Sequence, residues 1–553
     1  MASLLPPTVS DHLPRVLADL VPRQRFHLRP PHLPPAISRT LPKLIEPLGK
    51  LPGFRRLASE LVISHYADAA QPRPRPLTLQ APYTTWRGLT DRTWTGRHLP
   101  PVGERTDLPD PADVVDLFRR DTFVPATDTS VMFTFFAQWF TDSFLRTNRA
   151  DARRNTSNHE IDLCQIYGLS ETQTRLLRAH EGGRLKTQLI DGAEFPVFLF
   201  EPRQPGEPLR VKPEFEGLHD ERFLVDVILG GASAAHADAV FAVGLEHGNS
   251  TLGQTMMSVV FFREHNRIAA ALADAHPDWD DDRLFETTRN VMIVLTLKLV
   301  VEEYIRHIGP FDFPVEMVPF AADGARWNRS NWCAIEFDLL YRWHPLAPDA
   351  IPATAADGPQ AVDLSPADFL NNNPLLVERG VEAVMAQCSR AKAGRIGLGN
   401  TPRYLTDRNL PDRPSVEERS VALMRAAQLA SYNDYREAFS LPRLSSFAEL
   451  TRDDAVRAKL EQLYPSIDDL EWYVGIFAED YPDYAMMGEL MTTMVAHDAF
   501  TQALTNPLLA RRVFTEETFS ATGMRIIETT RTLRDIVARN AADPDAVVVR
   551  FSC

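Results

Sequence analysis

From residue 77 onward the chain is a succession of segments with helical apolar periodicity, and convincing alternating strands are scarce. That pattern constrains the fold more than any other feature. Residues 131–147 (VMFTFFAQWFTDSFLRT) are apolar over a broad face, 253–274 read as a helix around FFREHNRIAAALADA, and 281–308 read as a third. The acidic run from Asp278 to Asp282 starts that third helix. A helix N-terminus favours negative charge, so the run reads as a cap and not as a calcium loop. Periodic segments continue at 415–431, 453–463 and 514–540, with no solenoid repeat among them. The expected fold is mainly α: one large helical domain over 77–553, preceded by an arm over 1–76.

The arm differs in composition. It carries eleven Lys/Arg against five Asp/Glu, a balance of +6 in a chain of net charge −15, and it holds fourteen of the 43 prolines. Its amphipathic pieces, Leu41-Pro42-Lys43-Leu44-Ile45-Glu46-Pro47-Leu48 and Phe54 to Ile63, are short and broken by prolines. Two readings stand: a segment lying on a membrane surface, or an extended arm packed around the acidic body.

Bulk properties narrow the class. The net charge of −15 argues against nucleic acid as a partner. Cys164, Cys333, Cys388 and Cys553 are scattered and form no C-x-x-C pair, which disfavours a disulfide framework and a zinc cluster. Reduced thiols in a cytoplasmic enzyme are the simpler reading. No run is long and apolar enough to span a bilayer. The first twenty residues carry Pro6, Pro7, Asp11, Pro14 and Asp19, so they lack the apolar core of a signal peptide.

The chemistry is carried by Tyr341-Arg342-Trp343-His344-Pro345-Leu346. On a helix, a tyrosine three residues before a histidine shares its face. Histidine is a common proximal ligand of haem iron, and a phenol beside such a haem can be oxidised to a radical. The spacing gains weight from Ile335-Glu336-Phe337-Asp338-Leu339-Leu340, which leads into it, and from blocks elsewhere. These are Tyr83-Thr84-Thr85-Trp86, Arg97-His98-Leu99-Pro100-Pro101, Phe135-Phe136-Ala137-Gln138-Trp139-Phe140-Thr141 and Ile161-Asp162-Leu163-Cys164-Gln165-Ile166-Tyr167-Gly168. They continue with Arg263-Glu264-His265-Asn266-Arg267, Glu302-Glu303-Tyr304, Gly394-Arg395-Ile396-Gly397, Asn433-Asp434-Tyr435-Arg436, Leu470-Glu471-Trp472-Tyr473 and Asn506-Pro507.

In this order, over roughly 77–553, the blocks closely resemble the prostaglandin G/H synthases (cyclooxygenases), a branch of the animal haem peroxidase superfamily. The resemblance implies a helical fold with haem b between a distal and a proximal helix. It places His344 as proximal ligand of the haem iron, Tyr341 as the radical tyrosine and Tyr304 as the hydrogen-bonding partner of that phenol. Gln138 falls on the distal haem face, and Phe311, Phe337, Leu340, Trp343, Thr492, Val495 and Ala499 fall along the substrate channel. The imidazole of a metal-bound histidine needs an acceptor for its second N–H, and the sequence does not reveal one.

The chain departs from the family at several points. The family's distal histidine follows the glutamine by four residues, and Asp142 stands there. An ordinary aspartate titrates near ~4 and is a poor proton donor at neutral pH, so weak peroxidase turnover is expected. His247, in Phe241-Ala242-Val243-Gly244-Leu245-Glu246-His247, falls where the family segment domes over the distal face. It is a candidate relocated acid/base or sixth iron ligand, against a plain loop histidine. The family's carboxylate-anchoring tyrosine aligns with Phe311. The anchoring arginine aligns with Ala67 by ungapped counting, with Arg73 and Arg75 as substitutes, and the aspirin-acetylated serine aligns with Ala499. There are no cysteines for the family's epidermal-growth-factor-like module.

The leading reading is a haem-dependent dioxygenase that oxygenates an unsaturated fatty acid or other lipid-like substrate through a Tyr341 radical, with O2 and peroxide as co-substrates. The alternatives are a peroxidase or peroxygenase using Asp142 or His247, and a non-catalytic haem-binding protein. A homodimer and a peripheral membrane contact through 1–76 are carried as candidate partnerships.

Overall fold

The computed structural model describes residues 45–70, 77–148, 150–204, 207–220, 234–309, 313–359, 361–409 and 412–553. Its architecture is helical. The elements that build or hold the site are α1 (Arg55–Ala67), α2 (Val131–Thr141), α3 (Leu252–Ala275), α4 (Asp281–Leu299), α5 (Ile335–Leu340), α6 (Val416–Ala426), α7 (Glu489–Leu504), α8 (Glu516–Thr529) and α9 (Leu533–Asn540). Strands are short: β1 (Pro125–Ser130) pairs antiparallel with β4 (Lys392–Gly394), and β2 (Thr187–Ile190) forms a hairpin with β3 (Ala193–Pro196). Asp191 and Gly192 at the hairpin tip both have positive φ, as a type I′ turn requires.

A helix that is apolar on nearly every side must be buried on nearly every side, and α2 is one. Val131, Met132, Phe133, Phe136, Trp139 and Phe140 are buried, and Gln138 alone in the helix is exposed. Ser130 starts α2 by accepting the Phe133 N–H at 3.3 Å. The helix stops at Thr141, short of the expected 147. α3 packs against α2 and comes close at Gly253, where any Cβ would run into the Phe135 ring. α4 begins as expected: Asp280 accepts the Arg283 N–H at 2.8 Å, and Asp281 and Asp282 pair with Arg178 at 2.6 Å each. The expected helix over 281–308 is one run with a π-helical insertion at Val300–Tyr304. Residues 514–540 form two helices, α8 and α9, because Thr532 caps a new start, and α8 is itself kinked at Ser520, which carries a positive φ of 60°.

The Arg263-Glu264-His265-Asn266-Arg267 block ties α3 to its surroundings. Glu264 is fully buried and accepts from Arg267, Arg539 and Asn540 at 2.8 Å each, which clamps α9 to α3. His265 donates to the Gly183 carbonyl at 2.9 Å and accepts from the Tyr167 hydroxyl at 2.9 Å. Burial holds His265 down to about 3, so it stays neutral in that bridge. The motif is structural here.

Of the arm, residues 45–70 are described and 1–44 and 71–76 lie outside. α1 buries Ala58, Val62, Ile63 and Tyr66 and packs on α7. Ser59 accepts the Glu316 N–H at 2.9 Å, and Asp68 pairs with Arg326. Leu51, Phe54 and Leu57 are 52, 49 and 41% exposed. All four cysteines are free thiols. Among the described residues no helix is long and apolar enough to cross a membrane.

Candidate active site

The site starts from one buried carboxylate. Glu336, fully buried on α5, accepts the His98 N–H at 2.8 Å and the Tyr435 hydroxyl at 2.7 Å. Three of the sequence blocks thereby meet at the base of the helix that delivers Tyr341. That helix does not run on to His344. α5 ends at Leu340, Tyr341 is its C-cap, and His344 opens a 3-10 turn, His344–Leu346. The expectation of a shared helical face is corrected: Pro345 has no N–H to carry the helix on, and the backbone leaves it at Trp343, where ψ is 48°. A turn, not helical periodicity, brings Tyr341 and His344 to the same end of α5.

The acceptor that the sequence did not reveal is Glu417. Its Oε2 receives the His344 Nδ1–H at 2.7 Å, and its Oε1 receives the Tyr473 hydroxyl at 2.7 Å. Glu417 is fully buried in the first turn of α6, whose start is fixed by a Ser415–Glu418 capping box. This bond sets the tautomer of His344 and leaves Nε2 for a metal. An imidazole with a buried carboxylate behind Nδ1 and Nε2 left open is a donor that fits haem iron. Nothing in the spacing marks Glu417, which lies 73 residues beyond His344.

Tyr341 and Tyr304 form the second part. Tyr304 ends the π-helical insertion and is wholly buried, stacked on Phe133 at 5.0 Å and close to Phe136 at 5.5 Å. π-helical insertions often occur at functional sites. Tyr341 packs on Phe337 at 5.3 Å and on Trp343 at 4.6 Å. Both phenol oxygens are buried, and neither makes a hydrogen bond of ordinary geometry. The two hydroxyls nonetheless lie close enough to influence each other's acidity, and burial pushes both well above the usual phenol range. Both hydroxyls keep their hydrogen atoms at any working pH.

The part expected on the distal side is a cluster of charges. Asp142 caps the end of α2 and accepts from Gln254 Nε2 and, at 3.1 Å, from His247 Nε2. Glu246 stands 3.5 Å from His247 Nδ1 and pairs with Arg146 at 2.7 Å. Burial alone would lower the His247 pKa, but the Asp142 and Glu246 carboxylates override it and raise it to about 9. Burial would likewise raise Glu246, yet His247 and Arg146 hold it well below the usual carboxylate range. Both His247 nitrogens face carboxylates, which suits a proton donor and leaves neither for iron. Thr251 donates to Gln138 Oε1 at 3.4 Å, linking that amide to the start of α3.

The expected channel residues fall on two packed helices and the turn after them. Phe337, Leu340 and Trp343 come from α5 and its turn, and Thr492, Val495 and Ala499 from α7. All are buried except Thr492, which is half-buried and donates to the Met487 carbonyl at 3.4 Å. Phe311, Arg73 and Arg75 lie outside the described residues, and Ala67 is buried at the end of α1. One feature was not anticipated. His98, His497 and Asp498 form a buried polar group beside α5, with His98 Nε2 2.8 Å from Asp498.

The animal haem peroxidase family model matches residues 146–550, well over half of the chain. Prostaglandin G/H synthase 2 of Oryctolagus cuniculus is 31% identical over 493 residues, 86% of this chain and 75% of the relative. Prostaglandin G/H synthase 1 of Rattus norvegicus is 32% identical over 502 residues, covering 88 and 77%. The chain belongs to the animal haem peroxidase family. It lies in the cyclooxygenase-like branch and is a haem-dependent oxidoreductase. The fold is also that of more distant relatives. Oryza sativa fatty acid alpha-dioxygenase, solved with palmitic acid, superposes with a TM-score of 0.69 at 18% identity, covering 96% of this chain and 98% of the other. Peroxidase A of Dictyostelium discoideum gives 0.67 at 18% identity, covering 87 and 99%.

Proposed function

We propose that the protein is a cyclooxygenase-like dioxygenase that inserts O2 into a long unsaturated acyl chain, with Tyr341 as hydrogen abstractor and haem b held by His344. The observation that carries this is the pair of buried phenols of Tyr341 and Tyr304, close to each other, with Tyr341 three residues before an imidazole whose Nδ1 is committed to Glu417. Bound haem supplies the oxidising equivalent and the Lewis-acidic iron. Haem b, held without thioether links, suits a chain with no C-x-x-C-H motif and three of its four thiols buried.

Tyr341 loses a hydrogen atom to become a phenoxyl radical, and Tyr304 stands beside that oxygen to tune it. The phenoxyl oxygen takes a hydrogen atom from an activated C–H of the substrate, O2 adds to the carbon radical, and the resulting peroxyl recovers a hydrogen atom from the Tyr341 phenol. Substrate plus O2 gives a hydroperoxide, and the tyrosyl radical is regenerated. Ala499, Val495 and Leu340 offer the chain no charge, so binding rests on burying CH2 groups, worth ~0.8 kcal/mol each. Free acid and ester are then weakly discriminated.

A second reading is favoured by one observation. The charge held on His247 beside Asp142 supports a role as proton donor on the distal side, which would sustain peroxide turnover with Asp142 at the position of the family's distal histidine. We assign it that role, with Asp142 as its anchor. The arm over 1–76, whose α1 docks on α7, is proposed to carry a second role as well. The exposed Leu51, Phe54 and Leu57 beside Arg55 and Arg56 support its peripheral contact with a membrane. Equal vesicle flotation of the full chain and of a chain starting at Leu77 would remove that role. The function itself is tested by oxygen uptake of haem-loaded protein with unsaturated fatty acids and their esters. Uptake is expected in wild type and absent in Tyr341→Phe; full uptake in Tyr341→Phe would overturn the assignment.

A further inference from the structure

We infer that Glu417 is a positioning residue that sets the electron affinity of the iron held by His344, and that Tyr473 moderates it from the other side of the same carboxylate. This rests on the ligand role proposed for His344. The two bonds are equal in length and opposite in effect. At 2.7 Å, Glu417 Oε2 draws on the His344 Nδ1 proton and makes Nε2 a stronger donor. A stronger nitrogen donor favours ferric over ferrous iron. At 2.7 Å, the Tyr473 hydroxyl donates into Oε1 and spreads the carboxylate charge away from the imidazole.

The surroundings keep that charge available. Glu417 is fully buried, so water does not screen it. The nearby cation, Arg342, is committed to Asp338 at 2.8 Å. α6 cannot turn away easily, because Glu418 beside Glu417 closes the capping box and pairs with Arg408. The Tyr473 ring is held independently of its hydroxyl, stacked on Phe118 at 5.4 Å and packed on Phe477 at 5.1 Å. Removing the hydroxyl alone therefore leaves the packing in place.

A plain clamp and an electrostatic tuner differ in sign. If Glu417 only orients the ring, loosening it from either side disturbs the iron in the same direction. If it tunes the iron, Glu417→Gln and Tyr473→Phe act in opposite directions. The experiment is spectroelectrochemical titration of the haem-loaded full chain at fixed pH, with the iron–histidine stretch read by resonance Raman on the ferrous form. Glu417→Gln is expected to shift the ferrous-to-ferric ratio at least tenfold toward ferrous, about 59 mV for a one-electron couple, and to lower the stretch. Tyr473→Phe is expected to shift both the other way by a smaller amount, and Glu417→Asp, which keeps the charge, to stay nearer wild type than Glu417→Gln. Shifts of the same sign in Glu417→Gln and Tyr473→Phe, or none in either, would overturn the inference. If Glu417→Gln fails to load haem, Tyr473→Phe decides by its sign alone. Loss of the ligand reading itself shows separately, as a Soret band and stretch unchanged in His344→Ala.

Discussion

The two faces of the proposed haem site are built in opposite ways. On the proximal side one imidazole is fixed by one buried carboxylate, itself fixed by one buried phenol, in a line from His344 through Glu417 to Tyr473. On the distal side no single group dominates: Asp142, His247, Glu246 and Arg146 hold one another in a partly exposed cluster. The face proposed as proximal gives His344 one buried carboxylate behind Nδ1. The face proposed as distal pairs an imidazolium from the loop before α3 with a carboxylate from the end of α2.

The widest separation between the faces is expected from His344→Ala, which should abolish the wild-type Soret band and all oxygenation, as read by absorption and oxygen uptake. His247→Ala should keep the haem and lower peroxide turnover by ~10²–10⁴-fold, the usual worth of a general acid, measured with a phenolic reductant. An unchanged rate would return His247 to a loop residue and leave the distal face without a donor. Asp142→Asn should have a smaller effect with a pH signature. The His247 pKa is raised to about 9 from an ordinary ~6.5, so proton donation is full at neutral pH and falls as pH rises through about 9. The same group's contribution to stability is complete below about pH 6.5 and is lost through about 9. Removing the Asp142 charge should move both limbs to lower pH, visible in the pH–rate profile and in melting temperature against pH.

Glu264→Ala lies outside both faces and should separate stability from chemistry. It leaves Arg267 and Arg539 without their buried partner and is expected to cost about 3 kcal/mol in denaturant unfolding, with little change in turnover per bound haem. The smallest effect is expected from Ala499→Ser, which should restore a hydroxyl to α7 and with it some sensitivity to aspirin, at near-normal oxygen uptake.

The contrast between the faces also marks what the sequence could say. α2, α3 and α4 were legible because their apolar periodicity has no other explanation, and the end of α5 was legible in Pro345, although the shared helical face assigned to Tyr341 and His344 ignored it. The π-helical insertion that seats Tyr304 left no signal, since Val300 to Tyr304 reads as ordinary helix. Glu417 was hidden for a different reason. A buried acid in the first turn of a helix looks the same as a solvated one, and its partner is distant in sequence. His247 was legible only as an oddity in its segment; its charge came from Asp142 and Glu246, which pairing in space alone brings together. Contacts between distant polar groups carry most of the site's chemistry, and local pattern is silent about them.

The central claim is that Tyr341 carries the oxidising hole to the substrate. Its most direct test is electron paramagnetic resonance of haem-loaded protein, freeze-quenched after peroxide addition, in wild type, Tyr341→Phe and Tyr304→Phe. A tyrosyl radical should form in wild type, persist with altered line shape in Tyr304→Phe, and vanish in Tyr341→Phe. The same signal, undiminished, in Tyr341→Phe would contradict the account.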